Sequence, residues 1–226
     1  MNPDKIKQLD QFDTPTVSNG LGKLGVRDDS YGYTGPDVRC LTPEFGVKVG
    51  VAVTARMDTT SPGNEDCKNL FIDWLQAMVD AGKDTGLPVF AVMEAVGLRP
   101  RYTVTIGDGM GTAMRMAGAA GFISNGSVRD IEGLRNVPMP CWGAGLSPMH
   151  GQMRWLDVNS TVVIDGMTVQ PGDIVHADEN GAIAIPAQVA DQVLDKAQEV
   201  RDFEAGHFAK LNAADMTIEK YLGERG

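Results

Sequence analysis

Two short stretches carry residue types that bind and activate a small anion. In G-D-G-M-G-T-A-M (107–114), Asp108 is followed by Gly109, Met110 and Gly111 at an expected helix start. Backbone N–H groups there lack intrahelical acceptors and make an anion site. In G-F-I-S-N-G-S-V-R-D (121–130), an apolar run stops at Asn125-Gly126, and Arg129 and Asp130 follow side by side. Arg129 offers a planar fork for a carboxylate or phosphate. Asp108 and Asp130 offer hard oxygen ligands of the kind Mg²⁺ or Mn²⁺ prefers. Taken together, these groups describe a pocket for a small anion chelated to a divalent metal. Taken singly, each has a plainer role: Asp108 as a helix cap, Arg129–Asp130 as a solvated pair. A dinucleotide loop is disfavoured, because Thr112 stands where G-x-G-x-x-G needs its third glycine and Asp130 opens a helix rather than ending a strand.

The elements that must hold these residues follow from periodicity. Residues 101–106, 112–118, 121–124 and 130–136 read as strand, helix, strand and helix. A crossover of this kind makes its two strands parallel, so both end at one sheet edge. Ligands of open α/β sheets sit beyond such carboxyl ends, which would bring Asp108, Arg129 and Asp130 into one crevice. Upstream, 13–25 reads as a short helix capped by Asp13 or Thr14 with Pro15 in its first turn. The alternating, β-branched run 45–56 is a strand, 67–82 a helix closed by Gly82, 87–96 a buried strand and 139–148 a short strand with a loop. From 157 to 186 short β segments alternate with the turns Asp165-Gly166, Pro171-Gly172 and Asn180-Gly181. Residues 187–212 form a long amphipathic helix. The expected class is α/β: one domain over 1–226 with a mixed central sheet.

The 226 residues carry a net charge of −10 with scattered Lys and Arg, which argues against a nucleic-acid partner. Apolar stretches fall short of a membrane span, and the opening residues lack the apolar core of a signal peptide, so a cytoplasmic location is expected. Cys40, Cys67 and Cys141 show no zinc or disulfide spacing, and Cys141 reads as a buried small hydrophobe. His150, His176 and His207 lack metal-ligand spacing and read as structural or surface residues. Ser127 and Ser147 lie in no G-x-S-x-G elbow.

The blocks at 107–114, 121–130 and G-M-T-V-Q-P-G-D-I-V-H-A-D-E-N-G-A-I-A-I-P (166–186), with the opening D-T-P-T-V-S-N-G-L, resemble the RraA-like family. That family includes 4-hydroxy-4-methyl-2-oxoglutarate/4-carboxy-4-hydroxy-2-oxoadipate aldolases and the regulator of ribonuclease activity A, which lacks aldolase activity. The resemblance implies a layered β/β/α swivelling domain in homotrimers or homohexamers, with sites between subunits and the C-terminal helix packed on a neighbour. It implies that Arg129 binds the substrate's carboxylate and carbonyl end. Asp130 would hold Mg²⁺ or Mn²⁺, Asp108 would orient a water, and the amides of Gly109, Met110 and Gly111 would hold the pyruvyl carboxylate. Glu204 of a neighbouring subunit, or alternatively Glu199, would complete the site. The sequence departs from the family pattern at Asn19 and Asn125, where aspartates are usual near the metal.

These assignments imply a metal-dependent lyase that cleaves a 4-hydroxy-2-oxo acid to pyruvate through an enolate, with oxaloacetate decarboxylation as a related reaction. The alternatives are a non-catalytic regulatory binder and another enolate-forming lyase or dehydratase on the same scaffold.

Overall fold

The computed structural model describes residues 1–62 and 69–223. Cys67 and the first two residues of the helix expected at 67–82 lie outside the described residues. The helices are α1 (Pro3–Lys7), α2 (Thr14–Gly22), α3 (Phe71–Thr85), α4 (Asp108–Met116), α5 (Ile131–Leu134), α6 (Ala190–Leu211) and α7 (Ile218–Gly223). The strands are β1 (Arg39–Cys40), β2 (Lys48–Asp58), β3 (Val89–Ala95), β4 (Val104–Ile106), β5 (Ala119–Ser124), β6 (Ser127–Val128) and β7 (Cys141–Gly143). They continue with β8 (Arg154–Val158), β9 (Val162–Ile164), β10 (Met167–Val169), β11 (Ile174–Asp178) and β12 (Gly181–Ile185).

A mixed sheet runs β1-β7-β5-β3-β2-β11-β12, and β8 pairs with the far half of β2. Strand β2 is its axis: it is parallel to β3 and antiparallel to β11 and β8. The period of two sorts its side chains and those of β3 into two layers. Val51, Val53, Ala55, Met57, Val89, Ala91 and Met93 pack with Trp74, Met78 and the N- and C-terminal helices. Ala52, Phe90 and Val92 face the β9–β10 hairpin through Val162, Ile164, Met167 and Val169. Helices on one side and a β layer on the other give the β/β/α arrangement expected from the resemblance.

Local chemistry accounts for the boundaries. Asp13 Oδ1 accepts from the Thr16 N–H at 2.7 Å, capping α2 with Pro15 in its first turn. Helix α3 ends at Gly86, which is left-handed (φ 68°). Gly82, the expected terminator, lies inside the helix, where its missing Cβ leaves ordinary space beside Val89. Helix α6 lies on α2 at Gly20, where a Cβ would come within 2.7 Å of the Ala197 nitrogen. The glycine of V-S-N-G therefore serves helix contact.

One expectation is corrected. The strand at 101–106 does not neighbour the strand at 121–124. Strand β5 lies between β3 and β7, whereas β4 pairs in parallel with β6 in a separate two-stranded sheet. The reason is the turn at Asn125-Gly126. The Asn125 amide accepts from the Ala95 N–H at 2.7 Å and donates to the Ala95 carbonyl at 3.0 Å, which ties the ends of β5 and β3 together. Gly126 then passes so close to the Thr103 carbonyl that a Cβ there would lie 2.6 Å from it. The chain emerges beside β4, and Ser127 N–H donates to the Thr103 carbonyl at 2.8 Å.

Candidate active site

The register Val104↔Ser127 and Ile106↔Val128 brings the carboxyl ends of β4 and β6 to one edge. Gly107 and Asp108 leave β4 there, and Arg129 and Asp130 leave β6. The Arg129 N–H donates to the Ile106 carbonyl at 3.0 Å and extends the pairing by one step. A cavity of about 210 Å³ opens beyond this edge, lined by Val104, Ile106, Gly107, Asp108, Gly109, Met110, Arg129, Asp130, His150 and Met153. That volume lies below the roughly 300 Å³ at which drug-sized pockets begin, so it suits a small metabolite.

Within it Arg129 Nε donates to Asp130 Oδ2 at 2.7 Å, and the two side chains keep 31% and 35% of their exposure. At that exposure the pair adds little to stability. Its effect is orientation: the Nη groups of Arg129 have no protein partner among the described residues and remain available as a fork. Asp130 adopts a left-handed conformation (φ 54°, ψ 44°), which aspartate tolerates better than most residues at a cost on the order of 1 kcal/mol. The Leu134 N–H holds its carbonyl at 2.9 Å. Gly107 is required by proximity, since a Cβ would meet Asp130 Oδ2 at 2.7 Å and Arg129 Nε at 3.2 Å.

The amide nest expected at 109–111 is narrower than the sequence suggested. Gly111 N–H donates to the Gly107 carbonyl at 2.9 Å inside helix α4, and Gly109 N–H donates to Asp108 Oδ1 at 2.7 Å. Of the three, only the Met110 N–H has no partner among the described residues, and the Asp108 N–H is free beside it. Asp108 is exposed, and its carboxylate packs over Gly133, where a Cβ would lie 2.7 Å from the Asp108 Cβ.

Asn19 and Asn125 mark the two departures from the family pattern. Neither lines the cavity. Asn19 is exposed on α2. Asn125 spends both ends of its amide on Ala95, a pairing that needs a donor and an acceptor and that a carboxylate cannot make. Glu204 and Glu199 also lie outside the cavity, on α6. Glu199 is engaged by Lys196 Nζ at 2.6 Å and Lys23 Nζ at 3.6 Å, whereas Glu204 is half-buried with no ion-pair partner among the described residues.

His150 is the cavity residue that sequence spacing missed. It lies in a loop with neither ligand spacing nor periodicity. His176 is a buried structural histidine, as expected: Nε2 lies 3.0 Å from the Leu9 carbonyl and Nδ1 3.0 Å from Thr14 Oγ1. Burial pushes the Cys141 thiol up to about 12 and the Cys40 thiol up to about 11, so neither is a nucleophile at neutral pH.

The donor set suits a hard divalent cation. Among the described residues no three His, Cys, Asp or Glu side chains converge as a ready cage. Mg²⁺ does not require one, since it takes one or two carboxylates and fills the rest of its shell with water and substrate oxygens. Asp130 and Asp108, in one cavity beside a free guanidinium fork, fit that pattern.

The profile of the RraA-like family, described as Aldolase/RraA, matches residues 14–184. The chain belongs to this family. Among curated relatives, "Protein DlpA" of Legionella pneumophila is 34% identical over 83 residues, 36% of this chain and 14% of that protein. An uncharacterized protein of Methanocaldococcus jannaschii is 27% identical over 117 residues, covering 51% of this chain and 56% of the other. A "Putative 4-hydroxy-4-methyl-2-oxoglutarate aldolase" of Hahella chejuensis is 30% identical over 96 residues, covering 42% and 58%. The matched segments thus span less than two thirds of each of these relatives. Two solved structures share the RraA-like fold at a TM-score of 0.73. An uncharacterized protein from Pseudomonas syringae pv. tomato is 24% identical, with 97% of this chain and 93% of that one covered. Streptomyces coelicolor RraAS2, described as an unusual member of the RNase ES inhibitor RraA protein family, is 23% identical, with 92% and 96% covered. Among the described residues no helix of this RraA-like chain is long and apolar enough to cross a membrane.

Proposed function

We propose that this chain is a divalent-metal-dependent carbon–carbon lyase that cleaves a 4-hydroxy-2-oxo acid to pyruvate. The observation that carries the reading is the convergence of the unpartnered Arg129 fork, the Asp130 and Asp108 carboxylates and the free first-turn amides of α4 in one small cavity. The name of the Hahella chejuensis relative supports the same chemistry.

The roles follow from charge. Arg129 binds the 2-oxo acid end and offsets negative charge as it grows on the keto oxygen. The Met110 and Asp108 N–H groups meet the substrate carboxylate. Asp130 and Asp108 would hold Mg²⁺ or Mn²⁺, which supplies Lewis-acid stabilisation of the enolate. Asp108 orients the water that takes the proton from the 4-hydroxyl. The C3–C4 bond breaks, C4 becomes a carbonyl, and C3 receives a proton to complete the methyl group of pyruvate. Loss of carbon dioxide from oxaloacetate passes through the same enolate.

In this reading the active unit is a homotrimer or homohexamer, with Glu204 reaching a neighbour's cavity from α6. Phe203 and Phe208 support it: they are 71% and 56% exposed on the outer half of that helix, as an apolar interface would leave them in a single chain. Light scattering after gel filtration reads the oligomeric state.

Pyruvate release, coupled to lactate dehydrogenase, tests the activity on oxaloacetate and 4-hydroxy-4-methyl-2-oxoglutarate with Mg²⁺, Mn²⁺ or a chelator. Release that the chelator abolishes is expected. Its absence from both substrates in the presence of metal would overturn the lyase reading in favour of a regulatory binder or a different enolate-forming enzyme.

A further inference from the structure

The charges of the cavity limit what can fill it. Among the described residues that line it, Arg129 is the one fixed cation, against the carboxylates of Asp108 and Asp130. Other arginines do not line it and are engaged elsewhere: Arg101 Nη1 with Asp37 at 2.8 Å, Arg135 Nε with Glu44 at 3.1 Å and Arg154 Nη2 with the Pro62 carbonyl at 2.7 Å. Glu204, which the oligomer proposed above would bring in, is anionic as well.

His150 adds no donor to this wall. Its Nδ1 lies 2.8 Å from the Gly151 carbonyl. A carbonyl only accepts, so Nδ1 carries the hydrogen of the neutral ring, and Nε2 is left with a lone pair. Such a nitrogen can accept from a hydroxyl and offers a carboxylate nothing. The rest of the side-chain lining is apolar: Val104, Ile106, Met110 and Met153.

The charges then balance for a single carboxylate. Asp108 and Asp130 would offset a divalent ion, while Arg129 and the free amides of Asp108 and Met110 are spent on the 2-oxo acid end. A second carboxylate would enter a wall of carboxylates and hydrocarbon without a counter-charge, and an unpaired charge taken out of water is costly. A short hydrocarbon group meets no such cost and gains from contact with the thioethers and branched chains. Resting on the lyase reading above, we propose that the preferred substrate is a monoacid, a 4-hydroxy-2-oxo acid with a short hydrocarbon group on C4. Cleavage of its C3–C4 bond yields pyruvate and a simple aldehyde or ketone. The diacids named above are then weaker substrates of the same site.

Binding and turnover are read separately. Neither 2-oxoglutarate nor 5-methyl-2-oxohexanoate carries the 4-hydroxyl that cleavage needs, and the second has an isopropyl group where the first has its other carboxylate. Calorimetric titration of the wild-type oligomer with each, Mg²⁺ present, is expected to favour the monoacid by at least about tenfold. Met153→Lys sets a cation in the cavity wall and should move that ratio about tenfold or more toward the diacid, whereas Met153→Leu should leave it in place. Met153 is 39% exposed, so neither change disturbs the core, and an unchanged melting temperature checks folding. A wild type that binds the diacid as well as the monoacid overturns the proposal, and so does a Met153→Lys variant with the wild-type ratio. Pyruvate release is then compared for 4-hydroxy-5-methyl-2-oxohexanoate and 4-hydroxy-2-oxoglutarate, with the higher kcat/KM expected for the monoacid. A higher value for the diacid overturns the proposal and leaves the lyase reading standing. Monoacid-selective binding without release from either substrate overturns the lyase reading and leaves the monoacid assignment as that of a binding site.

Discussion

Arg129 Nε reaches back to Asp130 Oδ2 at 2.7 Å across a single peptide bond, and the left-handed turn at Asp130 makes this possible. Adjacent side chains in extended or helical backbone diverge. Here the turn brings the carboxylate onto the guanidinium, so the groups proposed to hold the metal and the anion are one linked pair.

Replacing either partner should therefore disable both functions. Arg129→Ala and Asp130→Asn are each expected to lower kcat by at least about 100-fold, as removal of a main charge-stabilising group does. Asparagine tolerates the left-handed conformation, so Asp130→Asn should fold normally. Arg129→Lys should not rescue activity, because a point charge lacks the fork. Steady-state kinetics alongside circular dichroism decide this, and near-wild-type turnover in Asp130→Asn would remove Asp130 from the site.

Gly107→Ala offers a subtler perturbation. The added methyl would lie 2.7 Å from Asp130 Oδ2 and 3.2 Å from Arg129 Nε, while the backbone (φ −129°) accepts any residue. The expected outcome is a fall in kcat of about tenfold or more, from misplacement of the pair, with a melting temperature close to wild type.

Asn125→Asp, the change toward the family's usual residue, should bring no gain in metal affinity here. A carboxylate cannot donate to the Ala95 carbonyl as the amide does at 3.0 Å. A loss of about 1–2 kcal/mol in urea unfolding is expected, the cost of an unmade hydrogen bond. A tighter Mn²⁺ binding constant in this variant would contradict the placement of Asn125 between β3 and β5.

His176 should make stability depend on pH. Burial holds its pKa below the ordinary histidine value, against the opposing pull of the Leu9 carbonyl and of Asp178, Asp13 and Asp10. The unfolded chain then takes up a proton near pH 6.5 that the folded chain refuses. Stability is complete above that pH and falls as the pH drops through it toward the lower folded value. Melting curves at pH 7.5 and 5.5 should show a larger loss for the wild type than for His176→Gln. Equal losses would mean that other groups carry the acid sensitivity.

The sequence disclosed most of this architecture because its elements announce themselves locally. The β-branched run 45–56 corresponds to β2 at Lys48–Asp58, and the stripe at 187–212 to α6 at Ala190–Leu211. Asp108, Arg129 and Asp130 were legible as charges at strand ends, and the structure brings them into one cavity. What stayed hidden depends on contacts distant in sequence. Strand β6 has only two residues, too few to show a period, and it exists because β4 is there to pair with it. The pinning of Asn125 depends on Ala95, and the engagement of the Gly111 amide depends on where helix α4 begins. His150 lines the cavity because the loop that carries it is stitched to Val128.

That stitching joins two segments of the cavity wall through one residue. Arg129 follows Val128 along the chain, and the loop leading to His150 is clasped to Val128 from the side. Both segments of the cavity wall thus share one support. A substitution that loosens the clasp at Val128 therefore disturbs both the strand that carries Arg129 and the loop that carries His150.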